Sequence, residues 1–180
     1  MLTIPVALIA SGLLVSNASY SAYSASTTNP ANNWTTGTLG LTDDDANTAL
    51  FTATGLVPGS TATKCIAVTS SSTVPTTIKL YGTSPSTTLA LSSYIDLVVT
   101  LGAGGSSSTC TGFVADATNP NVFTGTLASL GTTATGFSNG LGVWAPAGAG
   151  TKTYKIQYTV NSAAPNTTAG GTASIGFTWE

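Results

Sequence analysis

The segment Thr151-Lys-Thr-Tyr-Lys-Ile-Gln-Tyr-Thr-Val160 decides the fold. Tyr154, Ile156, Tyr158 and Val160 fall on one face of an extended chain, and Lys155, Gln157 and Thr159 fall on the other, which is the period of a strand buried on one side. The closing segment repeats it, with Ala173, Ile175, Phe177 and Trp179 set against Thr172, Ser174, Gly176 and Thr178. Ile66 with Val68 and Ile78 with Leu80 mark two more strands, joined through Ser70–Pro75. Tyr94–Leu101 predicts a more fully buried strand, because Leu97, Val98 and Val99 run together. Shorter strands are expected at Thr48–Thr54, Thr109–Val114, Val122–Leu127 and Gly142–Ala145, with Gly, Pro, Ser and Asn clusters between them. No amphipathic helix longer than a turn or two is legible; Asp43–Leu50 is at best a short one. Gly102–Thr109 reads as a loop between strands rather than a domain linker. The fold class is therefore all-β, with strand spacings typical of a single sandwich.

Composition bounds what such a sandwich does. The 180 residues suffice for one domain with one core. Charged residues make up only 6% of the chain, against about 25% in an average globular protein. Hydroxyls and amides must cover the surface instead. The net charge of −2 comes from six carboxylates and four lysines, with no arginine. Nucleic acid is excluded as a partner, since there is no basic footprint, and so is a polybasic contact with anionic lipid. Weak charge also leaves little repulsion between copies, which favours self-association.

The absence of histidine removes Ser-His-Asp triads, Cys-His pairs and His-ligated metals, so no catalytic residues are assigned and the chain is read as a non-enzyme. Asp43-Asp44-Asp45 is the one carboxylate cluster. Asp43 and Asp45, with Asn47 or backbone carbonyls, are weak Ca²⁺ candidates, because hard cations favour such oxygens; a solvated turn is the alternative. No other cofactor is expected. Trp34, Trp144 and Trp179 read either as core residues or as a carbohydrate-stacking platform.

Cys65 and Cys110 fit no zinc pattern and are either a disulfide or two buried thiols. A bridge would close a loop of about 45 residues, stabilise by roughly 3 to 4 kcal/mol, and imply an oxidising, extracytoplasmic compartment. Sequons at Asn17, Asn33 and Asn166 are glycosylation candidates that agree with that placement.

Leu2–Val15 is an apolar run followed by small residues at Ser16-Asn17-Ala18 and Ser19-Tyr20-Ser21. It reads as a leader cleaved near residue 18 or 21, or as an apolar segment that is retained and needs burial. It is too short and interrupted for a membrane span, so none is expected in the mature protein. The chain thus divides into a signal peptide or retained apolar segment (1–21), a segment with few partners of its own (22–33), and the sandwich (34–180).

Several stretches carry a family resemblance: Tyr20-Ser-Ala-Tyr-Ser24, Trp34-Thr-Thr-Gly-Thr-Leu-Gly-Leu41, Gly55-Leu-Val-Pro-Gly-Ser60 running into Thr61–Val68, and Ile175-Gly-Phe-Thr-Trp-Glu180. Together they resemble the TasA/camelysin family of secreted biofilm-fibre proteins, and similar donor-strand subunits build archaeal bundling pili. The chain departs from that pattern in having Tyr23-Ser-Ala25 where a Phe-Ser-Asp or Phe-Asn-Asp triplet is common, and in carrying its two cysteines. The metalloprotease activity associated with camelysin is not implied, because no His-Glu-x-x-His is present.

The resemblance implies a single jelly-roll-like β-sandwich with an N-terminal extended segment that acts as donor strand. It implies a secreted, extracellular or cell-surface subunit of a filament, polymerising head to tail with itself by donor-strand complementation, with other matrix or cell-surface proteins as further partners. The residues supply a physical logic of their own. An edge strand over an open apolar groove recruits another strand. Ala22, Tyr23, Ser24, Ala25 and Ser26 are the donor candidates, or Ile4, Val6, Leu8, Leu13 and Val15 if the N-terminus is retained. Insertion of this kind does not close on itself and so generates filaments. The alternative is a monomeric cell-surface adhesive or carbohydrate-binding sandwich whose N-terminal segment is an intramolecular strand or a tail.

Overall fold

The computed structural model describes residues 33–180, within which Thr36–Glu180 is one compact unit. Among the described residues nine strands form two antiparallel sheets that face each other across one core. They are β1 (Leu41–Asp43), β2 (Thr61–Ser70), β3 (Ile78–Thr87), β4 (Ile95–Ala103), β5 (Val114–Ala115), β6 (Asn121–Thr126), β7 (Leu141–Trp144), β8 (Gly150–Val160) and β9 (Ala173–Trp179). The thick sheet runs β1-β2-β8-β4, with β5 and β6 sharing the far side of β4; the thin sheet is β7-β3-β9. The chain is an all-β sandwich, as its alternation predicts.

β8 is central because both of its edges are paired, Thr61–Ser70 on one side and Ile95–Gly102 on the other. Its inward residues Tyr154 and Ile156 are fully buried, and they meet Ile66, Val68, Val99 and Leu80 in the core. The Tyr154 hydroxyl is buried beside the Trp179 indole, 5.3 Å between ring centroids. Neither polar atom reaches hydrogen-bonding geometry with a described residue. Burial pushes the phenol well above its usual range, and the nearby indole offsets only part of that.

Several expected elements differ. Of the Trp34–Leu41 stretch that carries the resemblance, only Leu41 joins a strand, Leu41–Asp43, and it is preceded by single bonds such as Thr73 N–H to the Thr38 carbonyl at 3.0 Å. Thr48–Thr54 is not a strand, since no described strand pairs with it. Thr109–Val114 turns instead, with Gly112 at φ +80°; Thr109 makes an isolated bridge to Ser106, and a strand pairs at Val114 and Ala115. Asp43–Leu50 is a turn closed by the Thr48 N–H on the Asp45 carbonyl at 3.0 Å. Past β6 the chain forms a helix, α1 (Leu127–Thr133), which buries Leu127 and Leu130 and is capped by the Thr126 hydroxyl accepting from the Ser129 N–H.

The polar surface is built from hydroxyls. Thr69 meets Thr151 at 2.9 Å, Thr83 meets Thr178 at 3.2 Å and Thr88 meets Thr172 at 3.0 Å. Lys152 and Asp116 form the one ion pair among the described residues, at 2.6 Å. All four lysines, Lys64, Lys79, Lys152 and Lys155, sit inside strands β2, β3 and β8.

Candidate functional site

The two long sides of the sandwich are closed differently. On one side α1 packs against β3, and β7 approaches β6 so tightly that a Cβ on Gly142, at φ +61°, would lie 2.8 Å from Val122. On the other side the thin sheet ends at β9, which pairs only with β3 among the described residues.

The direction of the β9 backbone groups follows from its ladder. Lys79 and Glu180 exchange both amide bonds, at 2.8 and 3.0 Å. In an antiparallel pair such residues alternate with residues that face away. Glu180, Thr178 and Gly176 therefore turn their amides to β3, while Trp179, Phe177 and Ile175 turn theirs outward. The Gly82 N–H agrees, bonding the Ala134 carbonyl at 2.8 Å rather than its register partner Phe177. At the other end the Thr88 N–H bonds the Thr172 carbonyl at 2.8 Å, which turns Ala173 outward as well.

Beneath this edge the two sheets are held apart by a cleft of about 580 Å³. Ala173, Ile175, Phe177 and Trp179 line it from β9; Ile95, Leu97 and Tyr158 line it from the thick sheet, and Leu127 from α1. A smaller cleft of about 200 Å³ continues it past Leu41 and Val68, sharing Phe177 and Trp179. An apolar slot under a row of unpaired amides is the form an absent strand leaves in a sandwich. The mouth is crossed by the loop between β1 and β2, which contributes Leu50, Phe51 and Leu56.

The acidic turn stands at the rim. Asp43 and Asp45 both line the cleft, whereas Asp44 is committed to the fold: its carboxylate accepts from the Ala67 N–H and the Ser107 N–H, each at 2.8 Å. Burial raises the Asp43 carboxyl above its ordinary value, and the neighbouring Asp45 carboxyl raises it further. Asp45 accepts from the Asn47 N–H at 2.8 Å. No group of three or more metal-ligating side chains forms among the described residues.

The Cys65–Cys110 disulfide is formed, with Cα atoms 5.3 Å apart, and it ties the loop after β4 onto the outer face of β2. Asn33 and Asn166 are exposed, the latter in a short 3₁₀ turn (Asn166–Thr168). Trp144 and Trp179 pack against the core, and Trp34 is 86% exposed. Asn17 and every donor-strand candidate, Ala22 to Ser26 as well as Ile4, Val6, Leu8, Leu13 and Val15, lie outside the described residues. No described helix is long and apolar enough to cross a membrane. The open edge has no sequence signal of its own, because the alternation of β9 reads the same whether its outer edge is paired or not. No protein-family model matches this chain, and no curated protein matches it in sequence.

Proposed function

We propose that this chain is a structural subunit of an extracellular filament that polymerises head to tail, each copy placing an N-terminal segment along β9 of the next. The observation that carries this reading is the outward row Ala173, Ile175, Phe177 and Trp179 above an apolar cleft of about 580 Å³. An incoming strand gains main-chain bonds along the edge and buries its inward side chains in the slot. The resemblance to TasA/camelysin fibre subunits supports the same reading, as does a disulfide suited to an oxidising, extracytoplasmic space.

Polarity favours exchange between copies over self-insertion. The compact unit begins beside Ser71 and Thr73, at the end of the sandwich where β9 finishes. A preceding segment folded back into its own cleft would run parallel to β9. The same segment delivered to a copy stacked head to tail runs antiparallel, the slightly more stable pairing. Of the two donor candidates, Ile4–Val15 fills the slot better, because Ala22, Ser24 and Ser26 would leave part of it empty, at about 24 cal/mol per Å³ of residual cavity.

Negative-stain electron microscopy of the secreted protein, with N-terminal sequencing of the same sample, tests this. Uniform filaments are expected, with a mature start that identifies the donor. A chain lacking residues 1–33 is expected to fold but form none. A dispersed monomer at high concentration would end the filament reading.

A further inference from the structure

The loop over the cleft is built differently from the rest of the domain. Ala49–Leu56 makes no hydrogen bond to any described residue, although the chain on either side of it is tied down. On the β1 side, the Asp45–Thr48 turn places Ala46 and Asn47 at φ 55° and 61°. On the β2 side, Ser60 N–H bonds the Val57 carbonyl at 2.9 Å, and Gly55 and Gly59 take φ 64° and 87°. Left-handed positions at both ends give the span two hinges. Among the described residues its hold is apolar: Leu50, Phe51 and Leu56 are half-buried in the cleft, and Phe51 stands edge-on to Tyr158 with centroids 5.2 Å apart.

We infer that Ala49–Leu56 is a removable strap that seats Leu50, Phe51 and Leu56 in the cleft of an unassembled subunit and swings out when the strand of a second copy enters. The inference rests on the filament reading and concerns how its groove is kept until use. An empty apolar slot would bind any extended segment and aggregate. The strap covers it with side chains alone and leaves the outward amides of Ile175, Phe177 and Trp179 without a partner among the described residues. An entering strand supplies comparable side-chain burial together with main-chain bonds that the strap does not make to any described residue, so replacement runs downhill. A Cβ on Gly55 would meet nothing within 4 Å, which leaves that hinge free to move.

The test uses the full chain as wild type, Phe51→Ser and Phe51→Leu, with Leu50→Ser as a second loosened strap should Phe51→Ser fail to fold. Assembly is followed by light scattering, and strap exposure by the rate of chymotrypsin cleavage after Phe51 in wild-type monomers and filaments. Loosened straps are expected to assemble about tenfold faster, the equivalent of losing one buried aromatic hold. Phe51→Leu is expected to stay near the wild-type rate. In wild-type filaments the Phe51 bond is expected to be cut several-fold faster than in monomers. Filaments whose Phe51 bond stays as protected as in the monomer, or loosened straps that assemble at the wild-type rate, would overturn the strap alone. Absence of filaments from every chain would overturn the strap together with the filament reading.

Discussion

Two neighbouring proline substitutions on β9 separate an outward amide from an inward one. Ala173 turns its N–H to the open edge, whereas Ser174 sits opposite Ser86 and turns its own into the ladder. Ala173→Pro therefore removes no bond to any described residue. Because proline is tolerated on sheet edges and restricts the unfolded chain, monomer stability should stay within about 1 kcal/mol of wild type. Ser174→Pro loses a ladder bond, about 1 kcal/mol, and forces the ring against β3, for a total of about 2 kcal/mol or more. For a chain of this size that is a fall in Tm of roughly 4–8 °C. Assembly should rank them the other way relative to stability. Losing one edge donor costs about 1 kcal/mol per subunit contact, so Ala173→Pro should raise the critical concentration about fivefold while its fold stays intact. Thermal unfolding below the assembly concentration, followed by sedimentation above it, measures both. An Ala173→Pro monomer as unstable as Ser174→Pro would refute the alternation, and with it the open edge.

Replacing the disulfide by Cys65→Ala/Cys110→Ala removes a cross-link across 45 residues, worth about 4 kcal/mol on the chain-entropy estimate; calorimetry should show Tm falling by roughly 10 °C, and a fall of a degree or two would contradict a formed bridge. Asp43→Asn tests the rim: a carboxyl held above its ordinary value costs stability once ionised, so the variant should be more stable at pH 7, by less than about 0.5 kcal/mol after solvent screening. That gain should vanish as the pH falls below the ordinary carboxylate range, where both states are protonated; urea titrations at the two pH values check the sign.

What was legible in the sequence followed from local period. β8 and β9 announce themselves because one face of each is packed and the other is wet, so the hydrophobic alternation is strict. α1 escaped because Leu127 and Leu130, three apart, are its whole apolar stripe, and Gly131 with two threonines dilutes its helical propensity. Thr48–Thr54 has strand-like residues but finds no backbone to pair with, which only the placement of β2 and β9 decides. The same reason hides the groove. Whether Ile175, Phe177 and Trp179 face a neighbour or an open edge depends on residues far away in the chain. The cysteine pairing was half legible: spacing removed zinc, but only proximity across β2 and the 104–113 loop distinguishes a bridge from two thiols.

The placement of the lysines bears on how the sandwich meets a protease. A trypsin-like protease cuts after Lys or Arg, and it must draw several residues around the bond into its own active site as a detached, extended segment. Here the chain has no arginine, and Lys64, Lys79, Lys152 and Lys155 are each held within a hydrogen-bonded ladder of β2, β3 or β8. Exposing any of these bonds means peeling a long strand from the sheet, an opening close in free energy to global unfolding. Digestion by such enzymes is therefore governed by the stability of the whole sandwich rather than by the motion of any loop.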